Sequence, residues 1–240
     1  MRRLLLGVSH NLNQPRKKHI KHRNPNAAPK TVLLTAFEPF GGQRVNASKL
    51  AAEGLDGRVI RGYRVVVVIL PCAFGEAIAV LKRSIRRVQP DLVIAAGEAG
   101  GRAAITLERV AINVDDATID DNAGARPVDR AIADAGPVGY WSTLPIKAIV
   151  SALKRRRIPA AVSQTAGTFV CNHVFYGLMR ILARRRGLRA GFVHVPYAPG
   201  QAPRETPTMP TTIARKALEV VIATSIATRR DARISGGATQ

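Results

Sequence analysis

From Thr31 to about Thr228, short uninterrupted apolar runs alternate with stretches whose apolar residues recur at helical spacing. This alternation restricts the chain to an α/β architecture, because strands that follow helices in turn must pair through helical crossovers. TVLLTA (31–36) and the runs over 65–70, 91–96, 160–164 and 190–195 are apolar enough for strands covered on both faces. Between them the spacing predicts helices over 46–54, 74–88 and 145–156, a helix opening near Cys171, and a last helix over 209–228. Asn46 or Ser48 can cap the first, Pro90 stops the second, and Pro145 fits the first turn of the third. Residues 105–114 read as extended, and DDATIDDNAG (115–124) as a loop of Asx and Gly turn formers. The expected fold is a three-layer α/β/α sandwich around a mainly parallel twisted sheet. With no internal repeat and no second core pattern, residues 30–228 are expected to form a single α/β domain.

The flanks differ in composition. Residues 1–29 contain no acidic residue, are dense in His, Lys and Arg between Arg16 and Arg23, and carry three prolines, so a flexible basic arm is expected. Residues 229–240 read as a polar, frayed tail. The net charge of +21 invites a nucleic-acid or anionic-surface partner. The basic clusters at 82–87, 154–157 and 184–186 nevertheless fall at the ends or outer faces of expected helices, without interleaved aromatic residues to stack on bases. A solvated basic surface is the expectation, and nucleic acid is not expected as a partner. Two cysteines on different elements make no disulfide framework, and no apolar run is long enough for a membrane span. The apolar part of residues 1–8 is too short for a secretory signal, so a cytoplasmic protein without a membrane partner is expected.

The chemistry concentrates around AGTFVCNHVFY (166–176), which puts Cys171 in the first turn of a helix marked by Val170, Val174, Leu178 and Leu182. Free N–H groups and the helix dipole favour an anion there, so the thiol is expected to ionise more easily than a free cysteine. Ligands of an open parallel sheet bind beyond the carboxyl ends of its strands. Cys171 follows the strand over 160–164. His194, in FVHVPY, ends the strand over 190–195 one helix later, so the two strand ends are expected side by side. Glu108 comes shortly after GEAGGR (97–102). Thiol, imidazole and carboxylate can thus meet as nucleophile, base and tautomer-fixing group. Glu98, at the same edge, competes for the carboxylate role. Cys72 reads as a core thiol and His173 as structural, since two positions along a helix points it away from Cys171. The aspartates of 115–121 read as a hydrated loop. The histidines and cysteines have no metal-ligand spacing, and GEAGGR lacks the order of a nucleotide loop.

TAFEPFGG (35–42), GEAGGR (97–102), ITLERVAIN (105–113), TAGTFVCN (165–172) and GFVHVPY (191–197) resemble the motifs of pyroglutamyl peptidase type I in order and spacing. The resemblance implies a cysteine omega-peptidase that removes N-terminal pyroglutamyl residues from peptides without a cofactor, and a homotetramer. Cys171 would be the nucleophile, His194 the general base and then acid, and Glu108, in preference to Glu98, the residue orienting His194. Phe40 and Phe169 match the rings that sandwich the lactam in that family, and Phe37 a third ring of the same pocket. A flat neutral lactam suits aromatic faces and backbone hydrogen bonds. Two departures stand out. Where bacterial members read DDARIPDN this chain reads DDATIDDN, so Thr118 replaces an arginine implicated in the oxyanion site and Asp120 a proline. Ala47 also stands where a proline often follows Asn46. Loss of an oxyanion donor costs on the order of a hundredfold in turnover, so an active but slower enzyme is expected. The second reading is a catalytically impaired member whose basic surface binds RNA or another polyanion.

Overall fold

A computed structural model describes residues 29–237 except 184 and 186. The elements are β1 (Lys30–Phe37), α1 (Ala47–Glu53), β2 (Val59–Ile60), β3 (Tyr63–Leu70), α2 (Glu76–Val88), β4 (Leu92–Glu98), β5 (Ile105–Glu108), β6 (Val110–Ile112), β7 (Gly139–Trp141), α3 (Ile146–Lys154), β8 (Ala160–Ser163), α4 (Val170–Leu182), β9 (Arg189–Val195) and α5 (Thr211–Ala227). The expectation of a flexible arm over 1–29 falls, Pro29 apart, outside the described residues.

Seven strands form one sheet in the order β2-β3-β1-β4-β9-β5-β8, while β6 and β7 form a separate ribbon. β3, β1, β4 and β9 are mutually parallel. The pair β5–β8 is internally parallel but runs against β9. The expectation that β8 and β9 end side by side is therefore corrected: β5 lies between them and they run in opposite directions. The cause is the short link over 99–104. A return to the other end of the sheet takes a dozen residues or more, so β5 has to start at the carboxyl edge of β4 and run inward.

The strand period of two sorts the core onto two faces. Val32, Leu34, Ala36, Leu92, Ile94, Ala96, Val193 and Val195 pack with residues of α1, α3 and α5. Leu33, Phe37, Val93, Ala95, Ala190 and Phe192 pack with α2 and α4. The result is the three-layer sandwich, with β4 buried along its whole length. Each fully buried Leu or Ile side chain here is worth roughly 1.5–3 kcal/mol over its exposed state.

Helix ends follow local chemistry. Asn46 Oδ1 accepts from Ser48 N–H (3.0 Å) at the start of α1, and α2 stops at Gln89 in the left-handed region just before Pro90. α3 has no cap of its own. Asp231, in the segment expected to be frayed, accepts from Lys147 N–H (3.1 Å) and Ala148 N–H (2.9 Å), so this part of the tail is held as the missing N-terminal cap.

Candidate active site

His194 and Phe192 alternate with Val193 and Val195 along β9, which turns the imidazole toward the α2/α4 layer. Thr106 and Glu108 alternate in the same way with Ile105 and Leu107. Thr106 is the register partner of His194, and Glu108 reaches the imidazole diagonally, with His194 Nδ1 2.8 Å from Glu108 Oε1. An ionised carboxylate only accepts, so Nδ1 carries the hydrogen and Nε2 is left as the basic nitrogen. Glu108 is fully buried. Burial alone would raise its carboxyl, but the hydrogen bond and charge of His194, with help from Ser163 and Arg102, hold it below the ordinary carboxylate value. Glu108 thus lies inside the sheet on an inward-running strand, not at the carboxyl edge where its sequence position suggested.

Cys171 is the second residue of α4. Phe169 occupies the cap position without a side-chain cap bond, and His173 N–H to Phe169 O (3.1 Å) closes the first turn. The N–H groups of residues 170–172 consequently have no backbone partner inside the helix. Sγ lies over Gly97, where a Cβ would stand 2.8 Å from the sulfur and 2.8 Å from the Phe192 ring. Gly97 is the register partner of His194 on the neighbouring strand, so the sulfur lies at the same level of the sheet as His194. Among the described residues Sγ makes no hydrogen bond. Burial, then the like charges of Cys72, Glu108 and Glu98, push the thiol well above its ordinary value, opposed by Arg102. This direction runs against the easy ionisation expected for a thiol in the first turn of a helix. A helix dipole is worth roughly 0.3–1 kcal/mol, less than one pH unit, and desolvation outweighs it.

Phe169, two residues before Cys171, belongs to a cluster of rings. Phe40 and Phe169 lie 5.8 Å apart, and Phe74 meets Phe169 edge-on at 5.4 Å. Phe37 is only 2% exposed and packs against Phe192 at 6.3 Å, whereas Phe40 and Phe169 are half-buried.

A family model described as pyroglutamyl peptidase matches residues 30–229. The chain belongs to the pyroglutamyl peptidase family. It is 56% identical over 211 residues to a pyrrolidone-carboxylate peptidase of Klebsiella pneumoniae (strain 342), covering 87% of this chain and 98% of that one. A pyrrolidone-carboxylate peptidase of Erwinia tasmaniensis is 54% identical over 212 residues, covering 88% and 99%. The crystal structure of pyroglutamyl peptidase I from Bacillus amyloliquefaciens superposes with a TM-score of 0.84 at 45% identity, covering 87% of this chain and all of that one.

In this pyroglutamyl peptidase fold the other candidates find different places. Glu98 Oε2 accepts from Ala47 N–H (2.5 Å) and Gln201 Nε2 (2.6 Å), so it braces α1 and the segment after β9 and leaves the imidazole to Glu108. Cys72 is buried, and burial, then Glu38, Asp121 and Glu98, push its thiol up to about 12. Of the four aspartates in the loop expected to be hydrated, Asp116 and Asp120 are exposed, while Asp115 and Asp121 are buried. Asp121 accepts from Phe74 N–H (2.7 Å), and Asn122 Nδ2 donates to Glu38 Oε1 (2.8 Å) and Pro39 O (2.9 Å). Asp116 O accepts from Thr168 Oγ1 (2.7 Å), so one loop braces the three segments that carry Phe40, Phe74 and Phe169. Asp115, fully buried, takes His173 Nδ1 at 2.8 Å, while His173 Nε2 accepts from Gly75 N–H at 2.8 Å. Thr118 is exposed. Among the described residues no cluster of His, Cys, Asp and Glu could hold a metal ion, and no helix is long and apolar enough to cross a membrane. Sequence reasoning missed Phe74, although it ends LPCAF at the carboxyl edge of β3. It also missed Arg102, the last residue of GEAGGR, whose guanidinium touches Glu108.

Proposed function

We propose that this pyroglutamyl peptidase hydrolyses the bond after an N-terminal pyroglutamyl residue with Cys171, His194 and Glu108 as its triad. The observation that carries the reading is the Glu108–His194 contact at 2.8 Å beside a thiol that Gly97 admits to the same strand level, in a chain of this family. His194 Nε2 takes the proton from Sγ as sulfur attacks the pyroglutamyl carbonyl carbon, so charge separates only when the reaction needs it. The oxyanion forms at the free N–H groups that open α4. His194 then protonates the departing amine as the C–N bond breaks, leaving a thioester on Cys171. Water, deprotonated by His194, attacks the thioester, and pyroglutamate leaves as the thiol is restored. Glu108 holds Nδ1–H throughout and stabilises the imidazolium between steps. Phe40 and Phe169 clasp the lactam faces, Phe74 buttresses Phe169 edge-on, and Phe37 supports the pocket from below.

Release of a fluorogenic amine from a pyroglutamyl-amide tests the reading. Release by the native enzyme with none by Cys171→Ala supports it. Equal release by both proteins overturns it. We further infer a cytoplasmic homotetramer. Self-association is supported by exposed apolar residues on and before the β6–β7 ribbon, Val138 at 87% and Trp141 at 69%. Light scattering of native protein and Trp141→Ser gives the state; a monomer for the native chain sinks it.

A further inference from the structure

Glu108 does not hold His194 alone. Gly101, at φ +81°, turns the link after β4 so that Arg102 comes back over β5. Its Nη1 lies 2.7 Å from Glu108 Oε1, the same oxygen that takes His194 Nδ1. Nη1 also donates to Thr106 Oγ1 (2.6 Å) and lies 3.5 Å from His194 Nδ1. Both of those nitrogens are donors once Nδ1–H faces Glu108, so the last contact is one of charge. Nη2 donates to Thr165 O (3.1 Å), in the loop that leads from β8 to Cys171. A single planar fork therefore spans the carboxylate, the strand partner of His194 and the approach to the nucleophile.

We propose that Arg102 is a positioning residue for the hydrolysis: it divides the Glu108 carboxylate with His194 and ties that pair to the loop carrying the thiol. The proposal rests on the reading of Cys171, His194 and Glu108 as the triad. The shared carboxylate is thereby fixed from two sides, which holds the imidazole of His194 in one orientation and one tautomer. The role is specific to a fork. A lysine can supply the charge at Glu108 but has no second planar nitrogen to reach Thr165 O at the same time.

The test compares native enzyme, Arg102→Met and Arg102→Lys on a pyroglutamyl-amide. Arg102→Met is expected to lose about 10- to 100-fold in kcat, mostly by misplacing the loop and its nucleophile, with KM near its native value. Arg102→Lys is expected to recover only part of kcat, since it restores the charge at Glu108 but not the bond to Thr165 O. Native kcat in a folded Arg102→Met protein overturns the proposal, as does full recovery by Arg102→Lys. A readout without turnover separates this from the peptidase reading. In Cys171→Ala protein the Nδ1–H proton resonance of His194, which faces Glu108, is expected to shift at constant pH when Arg102→Met is added, because the carboxylate is no longer shared. No change there overturns the clamp whether or not the chain hydrolyses pyroglutamyl bonds.

Discussion

His194 and Glu108 meet at 2.8 Å across two strands that run in opposite directions, and they do so diagonally, since the residue opposite His194 in the ladder is Thr106. The contact depends on the antiparallel entry of β5, which carries a buried carboxylate under the imidazole instead of past the end of the sheet. Glu108→Gln keeps the shape but allows the amide to present N–H to Nδ1, which favours the wrong tautomer. A fall in kcat of about 10³- to 10⁴-fold is expected, with KM little changed. Stability should follow pH with a definite sign. The folded carboxyl titrates below its ordinary value, so its contribution is full above the carboxylate range and is lost as pH falls through the lowered value. The melting-temperature gap between native protein and Glu108→Gln should narrow from pH 7 toward pH 3, and a gap that widens on acidification contradicts the ion-pair account.

Gly97 is required by the sulfur above it, not by its backbone angles. A Cβ there meets Cys171 Sγ at 2.8 Å and the Phe192 ring at 2.8–2.9 Å, closer than real contacts allow. Gly97→Ala should cost about 1–3 kcal/mol of stability through overpacking. It should cost about a hundredfold in kcat/KM, because the thiol moves away from the imidazole. Chemical denaturation and steady-state kinetics read the two effects separately. A stable variant with native kinetics would mean that the sulfur has room the structure does not provide.

The layers, the helix spans and the place of Cys171 in the first turn of α4 were legible because each rests on local period or composition. The four long strands and the four-residue β8 are apolar runs, and Cys171 follows from a loop that ends where helical spacing begins. The direction of β5 was also written in the chain, as a link over 99–104 too short for a crossover, but that inference requires counting connection lengths against sheet order. The short strands β2, β6 and β7, of two or three residues each, are too brief for a period to register. Arg102 and Phe74 were hidden for another reason. Each acts through a contact with a residue on a different element, Glu108 and Phe169, and no pattern along the chain marks such a pair. Asp231 as the cap of α3 is the same case at long range.

Thr118 stands exposed on the braced loop, two residues after Asp116, whose carbonyl holds Thr168 near the nucleophile. An arginine placed there adds a cation and a donor to the loop that braces the approach to Cys171. Thr118→Arg is expected to raise the acylation rate by about 10- to 100-fold, since one oxyanion donor is worth on the order of a hundredfold. Pre-steady-state release of the amine isolates acylation from thioester hydrolysis. An unchanged or slower burst would rule out a missing donor at this position.

Glu98 offers the opposite sign to Glu108. Burial pushes its carboxyl above the ordinary value against the hydrogen bonds from Ala47 and Gln201, and its Oε1 has no partner among the described residues. A group raised in this way favours the folded state most at low pH, and that contribution is lost as pH rises through the raised folded value. At neutral pH the ionised form is therefore a cost. Glu98→Gln keeps a carbonyl oxygen to accept from Ala47 N–H and Gln201 Nε2 and removes the charge, mimicking the neutral acid. Its melting temperature should exceed the native value at pH 8 by about 2–4 °C, which corresponds to about 1 kcal/mol in a chain of this size. The advantage should vanish toward pH 4, where native Glu98 is protonated as well. Scanning calorimetry at the two pH values decides it, because a variant less stable than native at pH 8 would mean that the charged form is the one this pocket holds.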